Sequence, residues 1–169
     1  MGTSTFAEYT VMPEIALAKV NPDASLDAAC LFACGLSTGL GAAMNTANVR
    51  EGSTCVVFGA GMVGLGAVAG CRLQGAERII CVDLSDDRLE LARGQGATET
   101  MTGGEGVVER ILEETDGFGA DYTFEATGNV QVMRQAVESA RMGWGLCTIA
   151  GVAGKGETLD IVPRYLITG

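Results

Sequence analysis

The 169-residue sequence contains no histidine. Within this chain that excludes a histidine-based catalytic triad, an imidazole acid–base catalyst and a histidine metal ligand. Basic residues are few, 11 Lys and Arg against 21 Asp and Glu, for a net charge of −10. A surface of that sign repels phosphate chains, so nucleic acid is not an expected partner. No Cys-x-x-Cys pair occurs among Cys30, Cys34, Cys55, Cys71, Cys81 and Cys147. Most of them lie in apolar runs such as Thr54-Cys55-Val56-Val57, the pattern of buried free thiols in a reducing, cytoplasmic compartment. The N-terminal stretch MGTSTFAEYTV has no basic patch ahead of an apolar core, so it does not read as a secretory signal. Aromatic residues make up only 5% against 25 glycines, which points to close backbone approaches. The uncharged stretch 52–71 holds six glycines and a turn signal at its centre. It reads as strand, turn and helix rather than as a membrane span.

What is present is an alternation. Apolar, β-branched runs recur at 54–58, 78–82, 98–101, 121–125 and 146–150. Between them, 62–73, 86–93, 107–114 and 130–141 have helical character. Strand and helix in turn argue for βαβ units and a parallel sheet. The strands are continuous apolar runs rather than strict alternations, as expected where both faces of the sheet are covered. The first third of the chain differs. Residues 6–11 read as a strand, and 25–33 and 40–47 as helices interrupted by Gly35–Gly39. Near the end, 157–162 reads as extended, followed by Pro163 and a short apolar tail.

Gly59-Ala60-Gly61-Met62-Val63-Gly64 fits G-x-G-x-x-G. It follows the strand TCVVF and opens a helix, the context in which the motif cradles a pyrophosphate. The first glycine permits the tight turn, the second admits the phosphates and the third lets helix and strand pack closely. The helix N-terminus adds unpaired N–H groups and the positive end of a dipole. Asp83 closes the next strand, 19 residues after Gly64. A carboxylate there accepts from both adenosine ribose hydroxyls and repels a 2′-phosphate, favouring NAD over NADP. Arg88 is placed to pack over the ribose edge. The expected fold is therefore α/β, a Rossmann-type doubly wound parallel sheet of five or more strands.

Three other readings meet this sequence. A glycine-loop methyltransferase spaces its third glycine closer, as G-x-G-x-G, and Gly64 comes one residue late for it. A short-chain dehydrogenase needs Tyr-x-x-x-Lys, and none of Tyr9, Tyr122 and Tyr165 has that lysine. Gly35-Leu36-Ser37-Thr38-Gly39 fits the G-x-S-x-G nucleophile elbow, but its flanks look helical and the chain has no histidine.

The string CLFACGLSTGLGAAMNTANVREGSTCVVFGAGMVGLGAV resembles the zinc-dependent medium-chain alcohol dehydrogenases. The opening MGTSTFAEYTVMPEIALAKVNPDASLD, with FEATGNVQVMRQAVESARMGWG and IAGVAGKGE, is similar to their class III branch, the glutathione-dependent formaldehyde dehydrogenases. That resemblance implies NAD and zinc as cofactors and hydride transfer from a primary alcohol such as S-(hydroxymethyl)glutathione to NAD. By it, Cys34 matches the third protein ligand of the catalytic zinc, and Thr38 contacts the nicotinamide. Val63 and Val152 flank the nicotinamide ring. Gly59, Gly61, Met62 and Gly64 belong to the pyrophosphate loop. Asp83 and Arg88 lie at the adenosine ribose, and Thr127 of the FEATGN segment completes the set. The family's other zinc ligands and its proton relay lie in a catalytic domain with no counterpart in this sequence, and its sixth strand is expected to be missing. The resemblance thus implies a lead-in at 1–35 from the catalytic-domain junction and an NAD-binding domain at 36–169. The excised domain is expected to be inactive alone, either as part of a larger enzyme or as a non-catalytic NAD-sensing module. The segment 157–162 matches one through which family subunits pair, so a homodimer is expected there.

Overall fold

The structure is a computed structural model and describes residues 5–168. The chain divides into two compact units, 1–31 and 32–169. In the first, the described residues form a 3-10 turn at Glu14–Ala16 and a one-turn helix, α1 (Leu26–Ala29). The strand expected over 6–11 is absent. A strand needs a neighbour to take its N–H and C=O groups, and no strand pairs with this segment among the described residues. The helix expected over 25–33 is shorter, tightening into a 3-10 turn at Cys30–Ala33.

The second unit opens with α2 (Gly35–Gly41), which runs into a π-type turn at Ala42–Thr46. The expected interruption at Gly35–Gly39 does not occur. The break falls instead at Cys34, whose backbone leaves the helical region at φ −136°, ψ −78°. Packing overrides the poor helix propensity of these glycines. A Cβ at Gly39 would run into the Val63 carbonyl, and one at Gly66 would lie 2.6 Å from the Leu36 carbonyl oxygen. Only bare backbone lets α2 lie this close to the next helix.

Five parallel strands follow, alternating with helices: β1 (Thr54–Phe58), α3 (Met62–Leu73), β2 (Arg78–Asp83), α4 (Asp86–Gln95), β3 (Glu99–Thr102), α5 (Val107–Glu114), β4 (Tyr122–Glu125), α6 (Val130–Glu138) and β5 (Leu146–Ile149). A final helix, α7, covers Arg164–Thr168. The sheet order is β3-β2-β1-β4-β5. Chain order reverses between β1 and β4, so the two crossovers leave opposite faces. The side-chain period of two divides the core accordingly. Cys55, Val57, Ile79 and Cys81 pack with Val68 of α3 and Leu89 and Ala92 of α4. Val56, Phe58, Ile80 and Val82 pack with Val107 and Ile111 of α5 and Ala136 of α6. Both faces are covered, which is why these strands read as unbroken apolar runs.

Helix α6 stops at Glu138 rather than Arg141 because Ala120 captures the next residues. Ala120 N–H donates to the Ser139 carbonyl and Arg141 N–H to the Ala120 carbonyl. The segment 157–162 is irregular and pairs with no strand among the described residues. No single helix among the described residues is long and apolar enough to cross a membrane.

The sheet's outer register is tied by Arg78, which donates from Nε and Nη2 to the two Glu99 carboxylate oxygens at 2.8 and 2.9 Å. That guanidinium holds the Glu99 carboxyl below the usual carboxylate range. A lowered folded value contributes stability above the ordinary glutamate pKa, lost as pH falls through the lowered one. Both side chains are about a third exposed, so screening keeps the effect under about 1 kcal/mol. In urea unfolding at a series of pH values, Glu99→Gln should be less stable than the parent at neutral pH. The gap should close below the glutamate range; a gap unchanged into acid would contradict this account of the pair.

Candidate functional site

The site lies at the carboxyl ends of the strands, where β1 and β4 diverge, the position at which open α/β sheets bind ligands. β1 ends in a turn that only glycine holds without strain. Gly59 has φ +93°, and a Cβ there would meet Thr127 Cγ2 at 2.7 Å. Its N–H donates to the Val82 carbonyl at 2.7 Å, fastening the turn to β2. The chain then enters α3 so tightly that a Cβ on Gly64 would overlap the Gly59 carbonyl. Gly61, the cap residue of α3, is different: a Cβ there would meet no protein atom within 4 Å. Protein packing therefore does not require glycine at 61; the space above its backbone is open. No side chain caps α3, so the N–H groups of its first turn are left for an external acceptor.

Asp83 closes β2 beside this turn. Its Oδ2 accepts from Ala60 N–H at 2.7 Å and its Oδ1 from Ser85 N–H at 2.9 Å. The carboxylate is thus locked between the glycine turn and the start of α4. An ionised carboxylate offers about four lone-pair sites, so acceptor capacity remains on both oxygens. Two residues earlier, burial and then the Asp83 charge push the Cys81 thiol up to about 12. It stays a neutral, inert core group.

A cleft of about 550 Å³ opens from this point. Gly59, Asp83, Arg88 and Thr127 of the expected set line it together. Gly61, Met62, Val63 and Gly64 continue the turn beyond its wall. Val152 is joined to the Thr127 turn through Gly128, where a Cβ would lie 2.6 Å from the Val152 carbonyl oxygen. Thr38 lies on the exposed side of α2, and Cys34 is exposed just ahead of that helix. Neither lines the cleft. Among the described residues no three His, Cys, Asp or Glu side chains are grouped to hold a metal ion.

The structure adds residues that the sequence reading did not single out. Leu84, Asn129, Gln131 and Gln135 line the cleft. Asn129 caps α6, accepting at Oδ1 from Gln131 N–H at 2.8 Å. Glu125, at the end of β4, is fully buried. Its Oε1 accepts from Thr127 N–H at 2.6 Å, from the Thr127 hydroxyl and from Gly128 N–H at 3.0 Å. Its Oε2 has no partner among the described residues. The signal was a charged residue closing the apolar run Tyr-Thr-Phe-Glu. Glu125 holds the turn that carries Thr127. Truncation strands the three part-buried donors at Thr127 and Gly128, so Glu125→Ala should lower unfolding free energy by about 1–3 kcal/mol. Glu125→Gln keeps an acceptor and should lose less. Unchanged denaturant midpoints for both variants would contradict this role.

A parallel sheet with a glycine turn, an uncapped helix and an acid at its switch point defines a dinucleotide-type α/β domain. Residues 62–168 match the family described as zinc-binding dehydrogenase. The chain belongs to that family. It is 48% identical over 171 residues to "Alcohol dehydrogenase class-3" of Myxine glutinosa, covering 100% of this chain and 46% of that protein. It is 45% identical over 175 residues to "S-(hydroxymethyl)glutathione dehydrogenase" of Saccharomyces cerevisiae, again covering all of this chain but 45% of the relative. The chain thus spans less than half the length of these relatives. Among solved structures, an alcohol dehydrogenase zinc-binding domain protein from Burkholderia ambifaria superposes with TM-score 0.81 at 37% identity, covering 88% of this chain and 40% of that one. Benzyl alcohol dehydrogenase from Acinetobacter calcoaceticus does so with TM-score 0.81 at 33% identity, covering 88% and 41%.

Proposed function

We propose that residues 36–169 are the NAD-binding domain of a zinc-dependent alcohol dehydrogenase of the glutathione-dependent formaldehyde type, with 1–35 the lead-in from its catalytic domain. The observation that carries this reading is the open space over Gly61 beside an uncapped α3, next to a locked Asp83. In it, the N–H groups of Met62, Val63 and Gly64 donate to the pyrophosphate, and the dipole of α3 stabilises its charge. Asp83 accepts from the ribose hydroxyls, and Arg88 covers the ribose edge. Thr127 borders the adenosine end, Thr38 contacts the nicotinamide, and Val63 and Val152 flank its ring.

The bound nicotinamide would accept a hydride from the alcohol carbon. This chain's part is to fix the ring's position and to hold the phosphates without recruiting a cation from an acidic surface. Zinc does not fit this chain's residues alone, because among the described residues Cys34 belongs to no group of three ligating side chains. The 169 residues by themselves are therefore read as inactive toward S-(hydroxymethyl)glutathione or a simple alcohol. The segment 157–162, which pairs with no strand among the described residues, is read as the place where two subunits join. The relatives' chemistry and the reduced thiols support a cytoplasmic location.

Calorimetric titration tests the reading. NAD⁺ should bind saturably, and NADP⁺ at least about tenfold more weakly, because a 2′-phosphate meets the Asp83 charge in place of a charge-assisted hydrogen bond. Asp83→Gly should lose most of that preference. Absence of binding by either nucleotide, or equal affinity for both, would overturn it.

A further inference from the structure

The nucleotide reading says where a base lies but not which base. The strand ends order the cleft. β1 carries the glycine turn and β2 carries Asp83. β3, on the far side of β2, leads into Gly103 and Gly104. Ala60 N–H binds the Asp83 side chain on one flank. On the other, Gly103 N–H donates to the Asp83 carbonyl at 3.0 Å. A ribose on Asp83 with its phosphates on the glycine turn therefore directs its base toward Gly103 and Gly104. There the walls are Leu84, 80% exposed and without a cover, and the face of α6 that carries Gln131 and Gln135.

Gln135 spans this end of the cleft. Its Nε2 donates to the Gly104 carbonyl oxygen at 3.1 Å. A carbonyl can only accept, so this bond fixes which way the amide faces. Oε1 is then the group left over. It has no hydrogen-bond partner among the described residues, and it is not one of the buried unpartnered atoms. The cleft wall thus presents an oriented, solvated acceptor at the base end.

Resting on the nucleotide-binding reading, we propose that Gln135 is a specificity-determining residue: its Oε1 accepts a hydrogen bond from the exocyclic amino group of adenine. The 6-oxo group of hypoxanthine or guanine would face the same acceptor with an acceptor. Discrimination here comes from a mismatch of two lone pairs as much as from a bond gained. Leu84 gives the base an apolar surface but does not tell one purine from another.

The test uses the whole chain and two ligands, NAD⁺ and its deaminated analogue, nicotinamide hypoxanthine dinucleotide, titrated calorimetrically. The parent should bind NAD⁺ about five- to tenfold more tightly. Gln135→Leu should weaken NAD⁺ binding by a similar factor while leaving the analogue nearly unchanged, bringing the ratio close to one. Gln135→Met, closer in length, should behave alike and serves if the leucine variant does not fold. Both dinucleotides binding the parent equally would overturn this inference alone. So would selectivity that persists in both variants, which would place it on Gln131 or elsewhere. Failure of the parent to bind either dinucleotide would overturn this inference together with the nucleotide reading.

Discussion

The architecture of the site depends on one close approach, that of α3 to the end of β1. The carbonyl of Gly59 occupies the space that a side chain at Gly64 would need. Because that space is bare, the helix begins directly over the strand end and its first N–H groups face outward across Gly61. Relax this contact and the helix must start farther out, the turn can no longer reach Val82, and Asp83 loses the Ala60 N–H that positions it. A second set of bare contacts, Gly39 against Val63 and Gly66 against Leu36, clamps α2 to the other side of the same helix. Glycine in this chain thus acts less as a source of flexibility than as absent volume.

The charge balance is resolved by the same geometry. An acidic chain is a poor host for a diphosphate if recognition depends on side-chain cations, and among the described residues Arg88 is the one cationic side chain lining the cleft. Backbone N–H groups and a helix dipole supply positive potential that net charge does not register. The cleft at the opposite end of the sheet makes the contrast. It is of similar size, about 610 Å³, and carries Arg50, Arg141 and an exposed Trp144. It lies at the amino ends of the strands, where the sheet offers no helix N-terminus.

Much of this was legible in the residues, and the exceptions have physical causes. The limits of β1, α3 and α5 follow from apolar runs bounded by glycine and polar residues. β2 extends one residue to Asp83, and β3 is shifted by one, because their ends are set by register rather than by composition. The missed helix at Gly35–Gly41 is a case of tertiary packing overriding propensity, which no local pattern reports. The strand expected over 6–11 has suitable residues but no partner among the described residues. In the site, the glycine turn and Asp83 were readable because their spacing is short and local. Gln135 was not, and Glu125 showed only as a charge closing an apolar run. Each acts through a bond to a turn, Glu125 to its own strand's exit and Gln135 to a loop 31 residues away.

The central claim is that the glycine turn, Asp83 and the α6 face act together as one nucleotide site. The direct measurement is a residue-resolved amide titration of the whole chain with NAD⁺ by nuclear magnetic resonance. The account predicts that shifts concentrate in 59–64, 83–88, 103–104 and 127–135, with the opposite end of the sheet silent. Shifts confined to the cleft around Arg50, Arg141 and Trp144, or none at all at saturating nucleotide, would contradict it.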